Sequence, residues 1–238
     1  MALTKTQKLR DRFVEDTQQI CTIYNSLSQH ATETENSVLA EQAVVSLTVA
    51  LESFISELLV ILICERPNEY LLTLSQEMKT ALLNSGHSHP RVKYLVSEGA
   101  ARLSIEELRE VILNDGDNIA FSETSTLKGF ISKNLTKDLA FEISDNDSVF
   151  IDLLKGIRNL CAHHSQKAAR NINGKFKNHF HDVKTKDLLV CRALVQEGDI
   201  NSQNVGAYLK KHAPGQAKKT RVEFVAGYLR DMAFRWIK

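Results

Sequence analysis

Proline is almost absent from this sequence, with three in 238 residues, and glycine stands at only ten. Chains made of many short strands and tight turns use more of both, so their scarcity argues for long helices and an all-α fold. There is no excess of charge of either sign: 30 Lys and Arg face 29 Asp and Glu, leaving a net charge of +1. Without an overall basic field, any nucleic acid must be met by a local patch. The four cysteines, Cys21, Cys64, Cys161 and Cys191, are scattered and form no C-x-x-C pair. That argues against a zinc ribbon or a thioredoxin-type motif and reads as reduced, buried thiols in the cytoplasm. No internal repeat, glycine-rich phosphate loop, G-x-S-x-G or metalloprotease motif is visible. The first residues, MALTKTQKLRDRF, are charged from Lys5 onward and hold no apolar run, so no secretory signal is expected.

What is present is periodic. With 43% hydrophobic and 25% charged residues, the chain has the composition of a soluble globular protein, and one domain over residues 1–238 is expected. Residues 4–28 place Leu9, Phe13, Ile20, Ile23, Tyr24 and Leu27 on one side of a helix. A second helix over about residues 37–65 is the most apolar element, with start signals at Thr32, Glu35 and Ser37. Its 43–64 portion approaches the roughly 20 residues that cross a bilayer. Glu52 and Glu57 interrupt it, and Val44, Leu47, Leu51, Phe54, Leu58 and Ile61 form a heptad-like stripe. The expectation is a central core helix or a dimer seam, not a membrane span. Arg66-Pro67 ends that helix, and a shorter one over about 68–83 follows. Ser104 with Glu107 is a capping box opening a helix to about Leu113, the segment 114–118 reads as a turn, and residues 123–135 read as a further helix.

One stretch sets chemically able side chains at defined spacing. Phe150, Ile151, Leu153, Leu154 and Ile157 recur at helical intervals after the capping sequence ISDNDS, so the helix should continue through Arg158-Asn159-Leu160-Cys161-Ala162-His163, carrying its polar groups inward. At about 100° per residue, Asn159 and His163 share a face while Arg158 sits roughly 140° round from His163 and flanks it. An imidazole with an ordinary pKa near 6.5 gives or takes a proton at neutral pH. A guanidinium fork holds a phosphate and offsets charge growing on it. Attack of a ribose 2′-OH on the adjacent phosphate needs a base on one side and an acid on the other, which one histidine cannot be at once; a second copy of the helix supplies the other.

Arg158, Asn159, Ala162 and His163 resemble the R-x4-6-H signature of the HEPN superfamily, and residues 50–59, ALESFISELL, are similar to the long early helix of its ribosome-linked and abortive-infection members. With twelve arginines and eight histidines, an R-x4-H pair alone arises by chance roughly 0.4 times in such a chain; adding Asn and Ala at their places makes it far rarer. The resemblance implies a HEPN-type bundle with additional short helices, working as a homodimer whose paired motifs cut RNA without a metal or other cofactor. It assigns Arg158 and His163 as the catalytic pair and Asn159 as a polar helper. It further implies a toxin or antiviral, abortive-infection effector held in check by an inhibitory partner protein such as an antitoxin or sensor. Some family members carry a tyrosine shortly after the histidine that a partner enzyme modifies; here His164, Ser165 and Gln166 follow, so that regulation is not expected.

His164 and Glu52 are candidate auxiliary groups, Glu52 by reaching Arg158; an exposed glutamate is the plain alternative. Between residues 166 and 186, Lys167, Arg170, Lys175, Lys177, Lys184 and Lys186 stand against Asp182 alone. This is the candidate RNA path, with Lys167, Arg170, Lys175 and Lys177 nearest the motif; a solvated basic loop around Asn173-Gly174 is the alternative. Lys218, Lys219 and Arg221 at the start of the last helix are a further candidate phosphate cradle. His87 and His89 lack accompanying ligands, so no metal is expected. Segments 185–196 and 201–212 read as amphipathic helices, and the last helix buries Phe224, Val225, Tyr228, Leu229, Met232 and Trp236. The alternative to a nuclease is a non-catalytic HEPN-like module that binds RNA, a nucleotide or a partner protein with the same surface, or a purely structural helical protein.

Overall fold

The computed structural model describes residues 4–84, 104–113, 119, 121, 123–196, 198–216 and 218–238. Among them there are helices and one isolated bridge between His212 and Thr220, and no strand. The helices are α1 (Lys5–Ser28), α2 (Glu33–Glu65), α3 (Asn68–Asn84), α4 (Ile105–Leu113), α5 (Thr124–Asn134), α6 (Asp145–His163), α7 (Gln166–His181), α8 (Leu189–Leu194), α9 (Val205–Lys210) and α10 (Arg221–Trp236). The expected all-α class is what the chain adopts. Its internal contacts divide it into two compact units, residues 1–54 with 143–238, and residues 55–142. The His87 and His89 pair and the turn at 114–118 lie outside the described residues.

The helix starts follow their capping chemistry. Thr4 and Gln7 close a capping box on α1. Thr32 and Glu35 exchange hydrogen bonds at the start of α2, so α2 begins four residues earlier than the apolar pattern predicts, at the first of its start signals. Ser104 and Glu107 do the same for α4, and Ser144 accepts from the Asp147 N–H to open α6. In the 55–142 unit, Leu58, Leu59 and Ile63 of α2 are buried, Ser56 accepts the Ile119 N–H at 2.8 Å, and Glu57 pairs with Arg109.

The larger unit is built around α6 and α10. Phe150, Ile151, Leu153, Leu154, Ile157 and Leu160 of α6 are all fully buried. Phe150 packs on Tyr228 with ring centroids 4.3 Å apart. At the first turn of α6 the Asp147 carboxylate is buried, and it accepts from the Tyr228 hydroxyl at 2.9 Å, the Trp236 indole at 3.2 Å and the Arg235 guanidinium. α1 covers α10, with Asn25 donating to Glu223 and Arg10 to the Ile237 carbonyl, while Phe13 stacks on Phe54 of α2 at 4.3 Å. α7 crosses α6 where Gly156 leaves room: a Cβ there would stand 2.8 Å from Ile172 Cδ1. At Gly206 of α9 a Cβ would stand 2.4 Å from the Ser37 carbonyl oxygen, so α9 meets the start of α2 backbone to backbone.

The stripe Val44, Leu47, Leu51, Phe54 and Leu58 of α2 is buried, which makes it core and not a seam. By length and composition α2 could cross a membrane, with a mean hydropathy of 2.2 over its most apolar window, of which 61% is buried within the chain. Three expectations are corrected. Segments 185–196 and 201–212 contribute only the six-residue helices α8 and α9. The alternative of a solvated loop around Asn173-Gly174 does not hold: residues 166–181 form one continuous helix, because Ser165 caps it and Ile172 and Phe176 give it a buried edge. Arg221 is no phosphate ligand: it is 4% exposed, donates to the Tyr208 carbonyl at 3.0 Å and lies over the Tyr208 ring. The start of α10 is instead served by the Thr220 and Glu223 capping box.

Removing the carboxylate that gathers three donors leaves a half-exposed guanidinium and two buried donors unmatched. Asp147→Ala is expected to lower unfolding free energy by about 3 kcal/mol, measured by urea denaturation.

Candidate functional site

α6 ends where the candidate residues begin to matter. Its core side is filled by Ile157, Leu160 and Cys161, so the remaining sector, from Arg158 through Ala162 and Asn159 to His163, has nowhere to go but out. Asn159, Ala162 and His163 are exposed and Arg158 is half-buried. The polar groups expected to point inward therefore face solvent. The apolar spacing that predicts the helix is kept; its polar members simply take the opposite side. Arg158 and His163 stand at the two margins of this sector, and between them is the methyl group of Ala162, which leaves the surface low. The Arg158 guanidinium donates to Asn159 Oδ1 at 3.1 Å, and its Nε is shut from solvent without a hydrogen-bond partner. One end of the fork is thus held against the helix by Asn159.

The turn after His163 is as short as two helices allow. His164 caps α6 in the left-handed region at φ 46°, its N–H bonded to the Leu160 carbonyl at 2.9 Å, and Ser165 already caps α7 by accepting the Ala168 N–H at 3.1 Å. Left-handed backbone at a helix C-cap is usually glycine; histidine there carries a modest steric cost. His164 Nε2 lies 3.6 Å from Glu41 of α2, whose side chain is 14% exposed. Burial raises the Glu41 pKa above its usual 4.5, against the pull of His164 and the Gly206 N–H. Burial, reinforced by Glu41, pushes the Cys161 thiol up to about 12, so the cysteine inside the motif is no nucleophile at neutral pH. Further along, Glu52 lies 3.5 Å from Lys155, one turn before Arg158. Burial lowers the Lys155 pKa, Glu52 opposes this, and Arg158 adds repulsion; the carboxylate expected at Arg158 meets Lys155. The two contacts, 41 with 164 and 52 with 155, mean that α2 runs antiparallel along the exposed edge of α6. Neither Glu41 nor Lys155 was marked by the sequence pattern: each looks like an ordinary surface charge of an amphipathic helix.

α7 carries the candidate RNA contacts on two different sides. Lys167, Arg170 and Lys177 are exposed, and with Gly174 and His181 they follow at three- and four-residue steps along one face. Lys175 is separate: it is half-buried and its Nζ donates to the Asp152 carbonyl of α6 at 3.1 Å. It ties the two helices together and is withdrawn from that face. No acidic residue occurs in α7, so no carboxylate of that helix interrupts the stripe, which begins at Lys167, four residues after His163. Among the described residues no group of three or more His, Cys, Asp or Glu is arranged to hold a metal ion. On α2, Val38 is 53% and Val49 44% exposed, and Val45 and Val49 line a groove with Leu9, Phe13, Ile20 and Ile23 of α1.

Because the folded pKa of Glu41 is raised, its ionisation costs stability at neutral pH, and the cost is absent below pH 4.5, where the group is protonated folded and unfolded alike. Glu41→Gln keeps an acceptor for Gly206. It is expected to stabilise the protein at pH 7, with the gain fading as pH falls towards 4.5, followed by urea denaturation across that range.

No protein-family model, curated protein or solved structure matches the chain.

Proposed function

We propose that this chain is a HEPN-like, metal-independent endoribonuclease of the cytoplasm, acting as a homodimer. The observation that supports it is the exposed edge of α6, where Arg158 and His163 flank Ala162 with Asn159 fixing one arm of the guanidinium. A phosphodiester laid across Ala162 would meet the guanidinium on one side and an imidazole on the other. His163 takes the proton of the ribose 2′-OH as its oxygen attacks phosphorus. Arg158 offsets the charge that builds on the phosphorane oxygens. The partner subunit's His163 gives a proton to the departing 5′-oxygen, leaving a 2′,3′-cyclic phosphate and a 5′-hydroxyl. The basic face of α7 supplies phosphate contacts that bind strand without reading sequence.

The requirement for a second imidazole gives the uncovered valines of α2 a role. Val38 and Val49 are exposed one helical turn from Glu41 and Glu52, which meet α6, and apolar side chains left exposed beside a polar rim are what an interface uses. A second copy docked on this face would bring the two His163 side chains towards one cleft. A nuclease assembled in this way harms its own cell unless restrained, so the reading extends to a toxin or antiviral effector released from an inhibitory partner protein by a trigger.

The same edge is open, not enclosed, and an open edge that holds phosphate without chemistry is the second reading: a binding module for RNA, a nucleotide or a partner protein. The two readings separate on fragment ends. Purified protein incubated with mixed single-stranded and transfer RNA in EDTA should leave cyclic-phosphate ends. His163→Ala and Arg158→Ala should each reduce cleavage by about a hundredfold or more while remaining folded dimers. Undiminished cleavage by His163→Ala removes the assignment. Val49→Glu, at a position where a monomer tolerates charge, should shift the protein to monomer in sedimentation and abolish cleavage.

A further inference from the structure

The basic face of α7 does not end at Lys177. In the next turn Phe180 follows, 43% exposed, its ring set edge-on to His181 with centroids 5.3 Å apart. An exposed phenylalanine costs solubility and contributes little to packing, so its surroundings matter. It forms one wall of a cavity of about 630 Å³ that also takes in His179, Lys186, Arg192, Val195 and Pro214. The cavity is assembled from three places in the chain: the last turn of α7, the helix α8 with the residues after it, and the turn at Pro214-Gly215, where Gly215 adopts a φ of 74° that a side chain would resist. Two cations, Lys186 and Arg192, line it against one carboxylate, Asp187. Burial lowers the His179 pKa, and its Nδ1 shares a 3.1 Å hydrogen bond with Thr185, so a neutral imidazole, able to donate or accept, completes the lining.

An aromatic face, a neutral hydrogen-bonding ring and two cations at the end of a positive stripe are the parts of a single-strand nucleic-acid site. Bases stack on the aromatic, cations hold the flanking phosphates, and duplex, with its bases already stacked, cannot use the ring. We infer that this cavity is a subsite for one unpaired RNA base, stacked on Phe180 and held by Lys186 and Arg192 through its phosphates. The inference rests on the RNA-directed reading of α7 and adds what that reading lacks, a preference for single strand and a reach. From Lys167 to Phe180 the helix rises about 20 Å. A stacked strand advances about 3.4 Å per nucleotide, so about six nucleotides separate an anchored base from the His163 corner, and fewer if the strand is stretched.

The test uses the full chain carrying His163→Ala, so that binding is read without cleavage. The probes are a labelled single strand of about twelve nucleotides, twice the reach, the same sugar-phosphate backbone without bases, and a duplex of the same length. Phe180→Ala should weaken the single strand by roughly five- to a hundredfold and leave the baseless strand and the duplex unchanged. Phe180→Trp should restore affinity, and thermal unfolding should show both variants folded. Equal affinity of Phe180→Ala for the single strand overturns the inference, and if Lys167→Glu still weakens binding the RNA reading of α7 survives that failure. A parent protein that binds none of the three probes overturns both. A Phe180 effect in a protein whose unmodified form leaves no cyclic-phosphate ends keeps the subsite and removes the nuclease.

Discussion

The Asp147 carboxylate, buried at the first turn of α6 and gripped by Tyr228, Arg235 and Trp236 of α10, decides which way α6 is rolled. A charge taken out of water is tolerable only where donors are fixed around it, and three donors from one partner helix leave little freedom of rotation. Phe150 on Tyr228 sets the next turn, and from there the helical period carries Leu153, Leu154, Ile157 and Leu160 inward. Everything on the remaining sector, including Asn159, Ala162 and His163 some four turns away, is thereby turned to solvent. The candidate site is exposed because a carboxylate near the far end of its helix is satisfied.

The exposed edge is then trimmed by groups that carry no chemistry of their own. Asn159 holds one arm of Arg158, Glu52 balances Lys155 behind it, and Glu41 stands under His164. Two of these three are carboxylates on α2, so the most apolar helix in the chain contributes its few charges to the rim of the polar edge. Val38 and Val49 leave exposed apolar surface one helical turn from those carboxylates.

Much of this was legible in the residues. The start signals at Thr32 and Ser104 and the capping sequence before α6 mark helix starts, because the hydrogen bonds they announce are local; the Thr4 box, equally local, went unmarked. The all-α class followed from the same periodicity. Direction was not legible: the spacing of Arg158, Asn159 and His163 fixes their mutual angle but not whether that sector faces core or water, which depends on contacts with α10 some eighty residues away. The Asn173-Gly174 pair left a loop open as the alternative for the basic segment after His163, since it signals a turn, whereas Ser165 and the buried Ile172 and Phe176 outweigh it. Arg221 looked like a surface cation at a helix start until the Tyr208 ring and carbonyl took it inside. Lys175 differs from its neighbours only by its position on the cylinder.

The two-residue corner at His164 and Ser165 makes α6 and α7 a mechanical linkage with no slack. On the proposed function, a strand drawn along the outer face of α7 would pull on the same short tether that holds the His163 imidazole. Under the same proposal, a corner lengthened by a few flexible residues would let the helix hold its load while the imidazole drifts, uncoupling affinity from turnover.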